Sequence, residues 1–261
     1  MTAPVPSRSV DIGTAISELC DRLVPDRHAY DAIDLTMLAK TLGVIDVLYK
    51  ASRIHGYTVW AERGPTLFLA MAKTEGRRRA TLAHECAHLV LNPALRPDEN
   101  MDATTRRRSL DILGGDLERF RTAAASLGVE RLCDRIAYEM LLPRARAQDL
   151  VVSTAEDVRE LASRFRVSLA LVVNEAHKAG TAVSLLRLSR AWDSSWVVVD
   201  TAGVPSRWTV GSACDAATGE ALGGLPVGSR STMVELRRAG SGEARPYSVL
   251  RHRTGAIAIR S

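Results

Sequence analysis

The stretch "ATLAHECAHLVLNP", Ala80 to Pro93, constrains this chain more than any other. It sets His84 and His88 four residues apart, with Glu85 directly after the first. In an α-helix, residues i and i+4 share a face, so both imidazoles can aim a nitrogen at one ion. Glu85 lies about 100° around the helix from His84. From there it reaches a water beside the ion without being a ligand, which is the placement of a general base. Leu82, Leu89, Val90 and Leu91 surround the motif, which predicts a packed helix over 76–91, stopped by Asn92-Pro93. The plainer alternative is two surface histidines on an amphipathic helix.

A catalytic zinc usually takes three protein ligands and leaves one position for water. No third histidine follows at short spacing, and His28, His55, His177 and His252 stand in unrelated contexts. "VERLCDRIAYEMLLP" offers acids instead. Glu130 and Asp134 are i and i+4 on a predicted helix over 129–142, ended by Pro143. Glu130 is the candidate third ligand. Asp134 is the candidate acceptor for the spare N–H of a ligand histidine. Asp116, Glu118 and Glu139 compete for the third place. A solvated carboxylate favoured by the helix dipole is the other reading of Glu130. The donor set suits Zn²⁺ and admits Mn²⁺.

The rest of the chain bounds the setting. Hydrophobic residues make up 46% of 261, enough for a substantial core. The net charge of +5 gathers in Arg77–Arg79, Arg106–Arg108 and Arg251-His252-Arg253. A solvated surface is one reading; a phosphate-binding face is the sharper one, with Arg106, Arg107 and Arg108 as candidate nucleic-acid contacts. Cys20, Cys86, Cys133 and Cys214 form no C-x-x-C pair, which argues against a disulfide framework or zinc ribbon. The opening residues lack the apolar core of a signal peptide, and no apolar run reaches membrane-spanning length. A cytoplasmic protein with no membrane partner is expected.

Residues 1–10 read as a tail, 12–23 and 34–43 as helices, and 44–50, 57–62 and 66–72 as strands of a small, partly antiparallel sheet. A loop over 92–104 precedes a helical stretch over 106–126 that Gly114-Gly115 can break. Two short helices within 153–180 have a helix-turn-helix outline or form an ordinary hairpin. From 183 onward, short alternating runs between glycine-rich turns indicate a β-rich region. The expected fold class is α+β. A mainly helical zincin-like domain over 1–182 includes the helix pair, and a β-rich domain covers 183–261. Cys214 falls in a "GSACDAATG" loop of that second domain, and a thiolate there is a candidate inhibitor of the open zinc position.

"RRRATLAHECAHLVL" followed by "ERLCDRIAYEMLLP" resembles the ImmA/IrrE metallopeptidases, in which R-x-x-L-A-H-E-x-x-H precedes a glutamate-bearing helix ending in L-L/M-P. The resemblance covers about residues 30–180. It implies that His84, His88 and Glu130 are ligands and Glu85 the base, with Asp134 where the family often has Asn. It further implies a limited cut in a helix-turn-helix repressor that switches stress or defence genes on, and a GAF-like sensory role for the C-terminal region. Single-stranded DNA or another polyanion is an expected activator. Glu130 follows His88 by 42 residues, longer than the family pattern, so the segment over 92–126 is expected to be a lid, a docking element or a nucleic-acid contact. Two other readings stand beside this one. The first is a non-proteolytic nucleic-acid- or ligand-binding regulator with a structural metal; the second is a metallo-amidase acting on a small molecule.

Overall fold

A computed structural model describes residues 12–29, 31–52, 54–61, 63–71, 74–95, 103–148, 152–181, 183–191, 193, 195–203, 208, 210–227, 231–252 and 255–260. The expected tail over 1–10 lies outside these residues, as does 96–102 of the expected loop. The chain divides into two compact units, Met1–Pro143 and Arg144–Ser261.

The first unit follows the sequence pattern closely at its start. Helix α1 (Ile12–Leu23) buries Ala15, Ile16, Leu19, Cys20 and Leu23, the face that its apolar spacing defines. Helix α2 (Leu35–Thr41) is capped by Asp34, whose carboxylate accepts from the backbone N–H groups of Thr36 and Met37. Gly43, at φ +92, lets the chain leave that helix. Strands β1 (Asp46–Lys50), β2 (Gly56–Ala61) and β3 (Gly64–Ala70) form a sheet in the order β1-β3-β2, with β1 parallel and β2 antiparallel to β3. β3 is central and buries Leu67, Leu69 and Ala70. β2 is left as an edge.

Helix α3 (Glu75–Leu95) carries the histidines and runs through Pro93. The expected stop at Asn92-Pro93 is therefore corrected. Pro93 has no N–H for the Leu89 carbonyl one turn back, which ordinarily breaks a helix. Here the buried Ser109 hydroxyl donates to that carbonyl at 2.9 Å, and the helix continues. Ser109→Ala removes that donor. It is expected to cost about 1–3 kcal/mol in urea unfolding, whereas an exposed serine would cost almost nothing.

Ser109 belongs to α4 (Ala103–Leu113), which a 3-10 turn at Gly114–Asp116 separates from α5 (Leu117–Leu127). The long gap before Glu130 is therefore filled by two helices that pack on α3. Leu113, Phe120, Ala123 and Ala124 are buried there, so the described part of the segment is a core layer and not a lid. Helix α6 (Val129–Leu141) buries Leu132, Cys133, Ile136, Ala137, Met140 and Leu141 on one face and leaves Glu130, Asp134 and Tyr138 on another.

The second unit holds α7 (Arg144–Gln148), α8 (Ala155–Arg164) and α9 (Leu169–Lys178) with a five-stranded antiparallel sheet. Its strands are β4 (Ser184–Arg190), β5 (Trp196–Gly203), β6 (Thr232–Arg237), β7 (Ala244–His252) and β8 (Gly255–Arg260), in the order β5-β4-β8-β7-β6. The sequence sets a boundary near 183, whereas compactness sets it at 143/144, because α8 and α9 pack on this sheet. α9 buries Leu171, Val172, Val173, Glu175 and Ala176 within the unit, so the pair is built as a core hairpin. A further helix, α10 (Ala216–Gly224), occupies the stretch read as a loop. Its three glycines hide it in the sequence. Asp215 caps its start, and Arg251 closes its end by donating to the carbonyls of Gly223 and Leu225. Arg251 therefore serves the fold, while Arg253 of the same run lies outside the described residues. None of the described helices is long and apolar enough to cross a membrane.

Candidate metal centre

α3 and α6 lie side by side and antiparallel, since His84 meets both Asp134 and Glu130 while His88 meets Glu130 alone. His84 Nε2 and His88 Nε2 stand 3.0 Å apart. The Glu130 carboxylate oxygens lie 3.2 Å from His84 Nε2 and 3.5 Å from His88 Nε2. All three donor atoms fall within 4.8 Å of one another. Two nitrogens or oxygens bound to a tetrahedral zinc at about 2.0–2.1 Å are themselves about 3.3–3.4 Å apart. The observed spacings bracket that value, so the donor set fits a zinc ion in size as well as chemistry. Among the described residues, no fourth histidine, cysteine or acid joins the group. The Glu130 side chain is 72% exposed, so the side opposite the helices is open to solvent.

Asp134 accepts from His84 Nδ1 at 2.8 Å. That contact places the ring proton on Nδ1 and leaves the Nε2 lone pair facing Glu130 and His88. Burial pulls the His84 pKa down, but the hydrogen bond and charge of Asp134, with Glu85 and Glu130, outweigh it and raise the value above that of an ordinary imidazole. Burial and the neighbouring His84 charge lower that of His88, against the pull of Glu130 and Glu85. A metal must displace the proton that His84 holds. Zinc affinity is therefore expected to fall as pH drops, with the loss starting above the ordinary imidazole range. Asp134→Ala should weaken zinc about 10–100-fold and move that onset to lower pH. Competition titrations with a chelator at a series of pH values check both.

Glu85 is 7% exposed and turns away from the acids on α6 toward β2. The Thr58 hydroxyl donates to its Oε2 at 3.0 Å. Gly56 lies against it, where an added Cβ would stand 2.5 Å from Thr81 Cγ2 and 3.0 Å from Glu85 Oε1. The sequence gives no signal for either residue, because a hydroxyl 27 positions away becomes a neighbour only through the sheet. Gly56→Ala is expected to displace Glu85 and to lower turnover while leaving zinc stoichiometry intact, as metal analysis beside a rate assay would show.

A cleft of about 780 Å³ runs along α3 over these groups, with β2 as one wall and Tyr138 of α6 on the other side. His55, set aside in the sequence reading, lines it. The competing acids are engaged elsewhere: Asp116 with Arg22 and Arg119, Glu118 with Arg121, and Glu139 with Arg27. Of the arginine run on α4, Arg107 is exposed and Arg106 and Arg108 are half-buried, and none of the three lines this cleft. Cys86 and Cys133 are buried. Cys214 is buried in the core of the second unit, and burial with the Asp215 charge pushes its thiol up to about 12. In that place it stays protonated, which opposes a role as an inhibitory thiolate.

A family model described as the IrrE N-terminal-like domain, peptidase family M78, matches residues 42–177. The chain belongs to this peptidase family. The match holds the cleft, both helices of the donor set and the helix pair of the second unit. No curated protein matches the chain. A solved structure of a Mycobacterium tuberculosis transcriptional regulator is similar over 94% of this chain and 80% of its own, at 16% identity and a TM-score of 0.40.

Proposed function

We propose that this chain is a zinc-dependent endopeptidase that makes a limited cut in a helix-turn-helix repressor, with His84, His88 and Glu130 as ligands and Glu85 as general base. The observation that carries the reading is the convergence of three donors, with no fourth among the described residues, beside a buried carboxylate at the floor of an open cleft. Three ligands with a free side suit hydrolysis; a structural site would be closed by a fourth.

When bound, the metal supplies the Lewis acidity that makes water nucleophilic near neutral pH. Glu85 takes a proton from the attacking water and returns it to the leaving amine nitrogen. Thr58 holds the Glu85 carboxylate in one rotamer, so that transfer needs no reorientation. Asp134 keeps His84 in the tautomer whose Nε2 is free to ligate.

The repressor as substrate follows from the ImmA/IrrE resemblance, as does a cytoplasmic setting, which four free cysteines suit. The test is co-expression with a small helix-turn-helix protein encoded beside this gene. A discrete fragment should appear with the intact chain and not with Glu85→Gln. Full-length partner in both strains rejects that substrate.

A further inference from the structure

Arg77, Arg78 and Arg79 form one basic run in the sequence, but the fold separates them. Arg78 lies over the Tyr49 ring at 6.0 Å, and Arg79 donates to the Ile33 carbonyl at 2.9 Å. Arg77 alone of the three lines the cleft. It is exposed, and its guanidinium has no hydrogen bond or ion pair among the described residues.

Its position along α3 gives it a definite distance from the reacting centre. Arg77 precedes His84 by seven residues, which is about 10 Å of helix rise. Between them, the cleft floor is made by Ala80 and Thr81, both small, so an extended chain can pass over. Gly56 Cα faces Thr81, which brings the start of β2 to this same half of the cleft. Ile54 and His55, just before it, line the wall there. An extended peptide rises about 3.3 Å per residue, so about three residues separate the bond over His84 from a side chain at Arg77.

We propose that Arg77 forms a specificity subsite for an acidic side chain of the substrate, about three residues from the scissile bond toward the N-terminal end of α3. The proposal rests on the peptidase reading, and its test separates the two. A proteome-derived peptide pool is digested by the zinc-loaded chain and by Arg77→Ala and Arg77→Glu, and the cut sites are read by mass spectrometry. In parallel, the same pool is captured on immobilised Glu85→Gln and on Glu85→Gln/Arg77→Glu, and the bound peptides are identified.

The intact chain is expected to enrich Asp or Glu about two- to fivefold at one fixed position, the range for an exposed ion pair. Arg77→Ala should flatten that position, and Arg77→Glu should replace the acids there with Lys or Arg. A merely structural arginine cannot produce that inversion. Cutting without acid enrichment, or enrichment unchanged in Arg77→Glu, overturns the subsite. If nothing is cut, the peptidase reading fails and the capture decides. Acidic peptides held by Glu85→Gln and lost in the double variant support the subsite, and equal recovery overturns it.

Discussion

Glu85→Gln is expected to bind one zinc per chain as tightly as the parent and to lose about 10²- to 10⁴-fold in turnover, the usual worth of a placed general base. The two properties separate because Glu85 is not among the converging donors, which are His84, His88 and Glu130. The amide keeps the size of the carboxylate and can still contact Thr58, so the local packing is retained. What it loses is the ability to accept the proton of water. The measurement is metal content and rate on one preparation, with the proposed helix-turn-helix substrate. Loss of zinc along with activity would mean that Glu85 is a ligand; undiminished activity would remove it from the mechanism.

Arg27→Met carries the second large effect, on stability. Arg27 sits in a short 3-10 turn, Arg27–Ala29, with its side chain fully buried. It donates to Asp21 at 2.7 Å, to the Glu139 carbonyl at 2.8 Å, to the Ser17 hydroxyl at 2.9 Å and to the Glu139 carboxylate at 3.1 Å. One guanidinium thus ties α1 to the last turn of α6, where a positive charge also opposes the helix dipole. Methionine fills much of the volume but takes the Arg27 guanidinium away from the Glu139 carboxylate, which is 13% exposed. Breaking a buried pair this way costs about 3–5 kcal/mol. The thermal midpoint of the first unit should fall by on the order of 10 °C. Adding Glu139→Gln should return part of the loss, since the half of the ion pair that Arg27 had balanced is then neutral. A single variant that melts like the parent would show that the network contributes nothing net.

Legibility in the sequence followed a physical rule. Elements held by their own periodicity and caps were readable: α1 matches its apolar spacing, α2 its Asp34 cap, and α6 its run to Pro143. Elements rescued by distant partners were not. α3 passes Pro93 only because Ser109 takes the orphaned Leu89 carbonyl. α10 survives three glycines because Asp215 and Arg251 hold its two ends. The donor set was legible because i, i+4 spacing on a helix is local, and two such helices needed only to meet. Thr58, Gly56 and Arg27 act across the sheet or between helices, and nothing near them in the chain marks their role. The place of the helix pair was hidden for the same reason. Its apolar faces fit either unit on paper, and only the packing on the β4–β8 sheet assigns them.

Zinc stoichiometry and affinity in Glu130→Ala test the central claim most directly. The intact chain should hold one zinc per molecule through two imidazoles and one carboxylate. The variant should lose at least tenfold in affinity at pH 7.5, with X-ray absorption showing one fewer protein oxygen around the metal. An intact chain that holds no zinc, or a Glu130→Ala variant with parental affinity and an unchanged coordination shell, would contradict the account.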